Sequence, residues 1–217
     1  FSEIPQIACF DTAFHKDLPH EDRVFGLPKD MAEDGILRFG FHGLSYDYVA
    51  SALADIAPDI AQGRVMIAHL GHGASMCALH EGRSVATTMG MTALDGLPMG
   101  RRCGALDPGV VLYLIEERGM APSEVREMLY ERSGLAGLSG ISSEMIELLE
   151  SDAPDARAAV AFFIYRCRRE IGSLAAALGG LDALVFTGGV GENAPAIRER
   201  ICADLGWLGM RIDHQAN

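Results

Sequence analysis

The stretch RVMIAHLGHGASMCALHEGRSVATTM, residues 64–89, contains three short apolar runs, Arg64–Leu70, Ala74–His80 and Arg83–Met89. Each has the length and composition of a strand. The last two are joined by only Glu81-Gly82, which is the spacing of a two-residue hairpin. Upstream, Val49, Leu53 and Ile56 recur at helical spacing within Tyr46–Ile56, and Pro58 stops that helix. Further upstream, Ile4–Phe10 reads as a strand closed by Asp11-Thr12, and residues 15–35, with Pro19, Pro28 and many charges, as a connecting segment.

Downstream, residues 90–106 carry four glycines and read as loops. Asp107 before Pro108 starts a helix whose apolar stripe is Val110, Val111, Leu114 and Ile115. Ser123 caps a second helix to Tyr130, residues 133–143 form a Gly/Ser loop, and Ala156–Leu178 is a long helix ended by Gly179-Gly180. Leu181–Thr187 is a fourth strand of the central group, and Pro195–Leu205 is the final helix. A hairpin followed by helix, strand and helix predicts an α/β fold with a mixed sheet and flanking helices in one domain.

The chain has 217 residues, 49% hydrophobic and 22% charged, within the range of folded soluble proteins. A net charge of −12 argues against a general nucleic-acid binder, which needs a basic face to neutralise phosphate. No apolar run approaches the roughly 20 residues that span a bilayer, so no membrane partner is expected. Phe1–Phe10 lacks a signal-peptide pattern, and no initiator Met is present, which suggests a fragment or processed product. Five scattered cysteines without C-x-x-C suggest free thiols in a reducing cytoplasm.

Four groups of residues suit chemistry. In FTGGVGENA, Phe186–Ala194, a strand runs through glycines into a helix, placing backbone N–H groups where an anion or nucleotide can bind. Gly189-x-Gly191-x-x-Ala194 also fits a loose dinucleotide fingerprint, with Asp213 at the distance of a ribose-binding acid. A plain tight turn fits equally well. His69-Leu70-Gly71-His72-Gly73-Ala74-Ser75 bends between two strands, and its glycines allow close backbone approach to a ligand. His69 and His72 lack zinc spacing and a nearby acidic or thiol ligand, so no metal site is expected. Arg101 and Arg102, between Gly100 and Gly104, suit a carboxylate or phosphate clamp, or form a solvated basic loop. Asp11, in Phe10–His15, is by residue type more often a cap than a catalyst, and stands with Phe41-His42-Gly43 as the fourth group. P-loop, nucleophile-elbow and His-Glu-x-x-His patterns are absent.

Taken in order, FDTAFH (residues 10–15), FHGLS (41–45), HLGHGAS (69–75), MGRRCGALDP (99–108), SGLAGLSGISSEM (133–145) and FTGGVGEN (186–193) resemble the acetate kinase family, the acetate and propionate kinases of the actin-like superfold. The resemblance covers almost the whole chain. It implies a ribonuclease-H-like fold and transfer of the ATP γ-phosphoryl group to a short-chain carboxylate. It places Asp11 at the active-site acid, and His42 and Arg102 at transition-state stabilisers. It sets His69, Leu70, Gly71, His72 and Gly73 along the phosphates, Glu144, Met145 and Ile146 at the adenosine, and Gly189, Val190, Gly191, Glu192 and Asn193 at the nucleotide. Mg²⁺ is the implied cofactor, with its ligand outside these residues, and the full-length protein would be a homodimer. Residues 1–217 would be mainly the second, nucleotide-side domain of a two-domain kinase, with residues 1–14 the end of the first.

The chain departs from the family pattern at His72, usually Asn; Ala105, usually Asp; Arg101, usually Thr; Tyr46, usually His; and Ile146, usually Arg. The loss of a cation at Ile146 predicts weaker or altered donor binding. Two rival readings follow from the same residues. One is a nicotinamide-binding oxidoreductase module built on Gly189-x-Gly191-x-x-Ala194, and the other is a nucleotide-binding module without catalysis.

Overall fold

The structure is a computed structural model that describes residues 4–217. Its sheet has four strands, β1 (Arg64–Leu70), β2 (Ala74–His80), β3 (Arg83–Thr87) and β4 (Ala183–Thr187), in the order β3-β2-β1-β4. β1 and β2 are antiparallel, with His69 opposite Ser75, and β2 pairs antiparallel with β3. β4 lies parallel to β1, with His69 beside Thr187. The expected mixed sheet is therefore present, and the hairpin is as read: Glu81 and Gly82 have φ of +52° and +72°, the two left-handed residues of its tight turn.

Among the described residues there are eleven α-helices. They are α1 (His20–Arg23), α2 (Lys29–Glu33), α3 (Gly43–Ile56), α4 (Pro58–Ala61), α5 (Pro108–Glu116), α6 (Pro122–Glu131), α7 (Gly134–Ser139), α8 (Met145–Glu150), α9 (Pro154–Leu178), α10 (Gly188–Asn193) and α11 (Pro195–Cys202). Successive strand side chains point to opposite faces. Met66, Ala68 and Leu70 of β1 join Met76 and Ala78 of β2 in the core under α9, with Phe163 and Ile171. Val65 and Ile67 join Cys77 and Leu79 on the other face, against Tyr46, Val49 and Leu53 of α3. By the same alternation His69 and Ser75 belong to the α3 face, at the carboxyl end of β1. None of the helices is long and apolar enough to cross a membrane, among the described residues.

Several local expectations change. Ile4–Phe10 forms no strand; the run is exposed, with Ile7 88% accessible, and finds no strand to pair with among the described residues. The family boundary expected within residues 1–14 begins at Phe1–Glu3, outside the described residues. The connecting segment 15–35 holds α1 and α2. The Gly/Ser loop 133–143 holds α7, whose glycines mark its ends: Gly134 (φ +61°) enters it and Gly140 (φ +63°) leaves it. Ser123 is not the cap of α6. That helix starts at Pro122, and the Glu124 carboxylate accepts the Ala121 N–H at 2.7 Å. Asp107 does cap α5, accepting from Gly109 N–H at 2.9 Å, and α9 ends at left-handed Gly179.

α7 also fixes the loop that carries Arg102. Unsatisfied N–H groups at its start bind loop carbonyls, Ser133 to Arg101, Leu135 to Met99 and Ala136 to Gly100, at 2.8–2.9 Å. A Cβ on Gly134 would lie 2.1 Å from the Met99 carbonyl oxygen, in a backbone conformation that side chains disfavour. Gly134→Ala is therefore expected to destabilise the protein by more than about 2 kcal/mol in urea unfolding; an unchanged midpoint would show that this contact is not as tight as described.

Candidate active site

The site begins at the N-terminus of α3. His42, the residue before the helix, sits in the left-handed region with φ +59°. A non-glycine residue there carries strain, and such positions concentrate at functional sites. Asp11 holds it in place: one carboxylate oxygen accepts the His42 N–H at 2.7 Å and the other the Leu44 N–H at 3.3 Å. Asp11 is thus a cap contributed from far along the chain, satisfying helix N–H groups that have no partner within the helix. Gly43 is obligatory beneath it, because a Cβ there would come within 1.9 Å of the Asp11 carbonyl oxygen.

The His42 ring stacks on His69, with centroids 4.3 Å apart. Each imidazole is held at Nδ1 by a hydroxyl, His42 by Ser75 at 2.8 Å and His69 by Ser45 at 2.9 Å. Burial pushes the His42 pKa down to about 4, and the neighbouring His69 and Arg102 reinforce that shift against Asp11. Burial also lowers His69, opposed by Asp11 and Glu192. His42 is consequently neutral at pH 7.

Arg102 comes from the opposite side. One of its guanidinium nitrogens donates to the Ala93 carbonyl at 2.6 Å. A Cβ placed on Gly73 would lie 2.8 Å from Arg102 Nη2 and 3.2 Å from His42 Nε2, so both donors converge on that glycine. Arg102 is half-buried, whereas Arg101 is exposed. Of the pair, Arg102 is the one that reaches Gly73.

Parallel pairing of β1 with β4 brings two glycine turns to the same end of the sheet, the side where open α/β sheets bind ligands. A Cβ on Gly188 would lie 2.8 Å from the Leu70 carbonyl oxygen, and one on Gly71 would lie 3.9 Å from the Gly189 nitrogen. Beside them a small pocket is lined by Gly71, His72, Gly100, Glu144, Met145 and Val190. His72 is exposed there, its Nε2 3.9 Å from a Glu144 oxygen. Leu70 and Met145 are buried, and Gly191 packs beneath the turn against Phe186. Ile146 points outward, 67% exposed. Glu192 accepts from Thr187 Oγ1 and Gly188 N–H at 3.0 and 3.1 Å, and the Asn193 amide donates to the Gly189 carbonyl at 3.0 Å. These two side chains brace their own turn.

The dinucleotide-fingerprint reading does not survive this geometry. Gly189-x-Gly191 lies within α10, no strand follows α11 among the described residues, and Asp213 Oδ1 closes a local turn by accepting the Gln215 N–H at 2.8 Å. Three supporting residues escaped the sequence reading as site residues: Ser45, Ser75 and Tyr46. Ser75 was within reach, since the two-strand alternation places it opposite His69. Tyr46 signalled itself only as a departure from the family pattern.

A family model described as the Acetokinase family matches residues 1–217. The chain is 60% identical to the acetate kinase of Rhodopseudomonas palustris over 215 residues, covering 99% of this chain and 54% of that protein. Among solved structures it is similar to a propionate kinase from Francisella tularensis, with a TM-score of 0.93 at 39% identity over 99% of this chain and 56% of that one. Porphyromonas gingivalis acetate kinase gives a TM-score of 0.91 at 38% identity, covering 95% of this chain and 53% of that one. The chain spans about half the length of these relatives.

The buried imidazoles give the stability a defined pH dependence. Between the ordinary imidazole value of 6.5 and the folded value of about 4, the unfolded chain binds a proton at His42 that the folded chain does not. Stability therefore falls as pH drops through that window. His15 and His69 act in the same direction. In urea unfolding from pH 7.5 to 4.5, His42→Gln should show a shallower loss of stability than the unaltered chain; identical slopes would contradict the assignment.

Proposed function

The chain belongs to the acetokinase family, and from that premise we propose that it forms the nucleotide-side part of a carboxylate kinase, transferring the γ-phosphoryl group of ATP to acetate or propionate. The convergence of His42 Nε2 and Arg102 Nη2 on Gly73 is the observation that carries this reading. A carboxylate oxygen attacks the γ-phosphorus, the O–P bond to ADP breaks, and an acyl phosphate leaves with ADP. A carboxylate needs no base to become a nucleophile, so positioning and charge stabilisation dominate catalysis.

In this scheme Arg102 supplies a fixed cation and His42 a neutral hydrogen-bond donor to oxygens that gain charge in the transition state. Asp11 acts on His42, holding the strained start of α3, and its charge faces both imidazoles. The turns Leu70–Gly73 and Gly188–Gly191 line the phosphates. Glu144 and Met145, beside Gly71 and Val190, mark the nucleotide pocket. Ile146, turned outward, offers the nucleotide no cation.

Mg²⁺ accompanies the phosphates in this chemistry and demands near-octahedral oxygen ligands. No group of three His, Cys, Asp or Glu side chains able to hold a metal ion occurs among the described residues. These residues do not by themselves compose a Mg²⁺ cage, and no step is routed through one. The proposed setting is the cytoplasm, with a homodimer as the full-length assembly.

Calorimetric titration of the chain with Mg-ATP, with NAD as control, tests the reading. Binding of ATP without NAD is expected; NAD binding without ATP would overturn it. In the enzyme that carries this chain, Arg102→Ala should lower acyl phosphate formation, trapped as hydroxamate, by about 10²–10³-fold; a loss under threefold would remove Arg102 from the proposed role.

A further inference from the structure

We propose that Tyr46, acting through Ser75, is a positioning residue that holds His42 in its neutral Nε2–H tautomer, so that a hydrogen-bond donor rather than an acceptor faces Gly73 beside Arg102. The use of that donor in phosphoryl transfer rests on the function proposed above; the tautomer itself does not.

The inference comes from following the protons. Tyr46 is fully buried on α3, packed among Val65, Ile67, Cys77 and Leu79. Its hydroxyl meets the Ser75 hydroxyl and, among the described residues, no other hydrogen-bond partner. Burial holds the phenol pKa well above its ordinary value, so the proton stays on oxygen. A buried O–H without an acceptor is costly, so this one donates to Ser75 Oγ.

Ser75 is itself fully buried, and its remaining partner is His42 Nδ1 at 2.8 Å. The serine proton therefore goes to Nδ1, which must be the unprotonated nitrogen. In a neutral imidazole the other nitrogen then carries the hydrogen. That nitrogen, Nε2, is the one aimed at Gly73. The reverse polarity, Nδ1–H to Ser75 to Tyr46, would strand the phenolic proton against an apolar wall.

The relay also resists imidazolium. Protonating Nδ1 would turn it into a donor and leave the Ser75 proton without an acceptor. The charged and titratable neighbours of His42 are His69, Arg102 and His15, which oppose a positive charge, and Asp11, which favours it. A neutral donor suits a site where Arg102 already supplies the cation. His69 has no such device: its hydroxyl partner, Ser45, is half-buried and free to turn its proton to water.

The test is two-bond ¹H–¹⁵N correlation spectroscopy of the chain labelled with ¹⁵N-histidine at pH 7, with His42 assigned by its loss in His42→Gln. The unaltered chain should show the Nε2–H pattern for His42. Tyr46→Phe keeps the ring and removes the relay's first proton. It should give mixed tautomers and raise the proton affinity of His42 by about tenfold, the worth of one hydrogen bond, with His69 unchanged. Ser75→Ala should do the same, and the double variant no more, because both break one chain of bonds. An Nδ1–H pattern in the unaltered chain, or an unchanged tautomer and titration midpoint in Tyr46→Phe, would overturn the proposal. These readouts need no nucleotide, so the relay and the kinase reading fail separately.

Discussion

β1 has neither a free edge nor a free face. β2 and β4 take its two edges, α3 closes one face, and α9 closes the other. Under that constraint every side chain on the strand must be apolar or hydrogen-bonded. Val65 to Ala68 meet it by being apolar. His69 meets it by bonding Ser45 and stacking on His42. The polar site begins where the strand's last turn toward α3 can no longer be filled with hydrocarbon. The parallel pairing with β4 then places the second glycine turn beside the first.

Local strain and remote support balance each other around this strand. His42 takes a left-handed backbone conformation at a cost of roughly 1–3 kcal/mol. Asp11 offsets part of that cost by accepting two backbone N–H hydrogen bonds at its carboxylate, each stronger than a neutral pair. On the other side, α7 spends its free N–H groups on the loop that carries Arg102. Neither of the two groups that face Gly73 is thus set by its own neighbours in sequence. The electrostatic result is asymmetric: Arg102 keeps its charge, whereas burial keeps His42 without one. A second cation at that distance would repel the first.

Legibility in the sequence follows the range of the interaction. The Glu81-Gly82 hairpin, the Asp107 cap and the Gly179 stop are settled within a few residues, and each was readable. Ile4–Phe10 looks like a strand by composition, but a strand is a pairing and not a property of one segment. SGLAGLSGISS looks like a loop because glycine weakens helices, yet two of its three glycines, Gly134 and Gly140, serve the two ends of α7. The roles of Ser75 and Tyr46 depend on contacts spanning 29 and 33 positions, which no local pattern encodes.

By itself, the sequence determined the class of fold, the hairpin and the glycine turns, because these rest on backbone freedom, periodicity and side-chain chemistry. The likeness to the acetate kinases was also in the order of its motifs. Only the tertiary structure decided that Asp11 caps α3, that Arg102 rather than Arg101 faces Gly73, and that His42 is neutral with its Nδ1 bound to a buried serine. Those outcomes depend on burial and on which donors share a space, and both exist only once α3, α7 and the sheet have packed together.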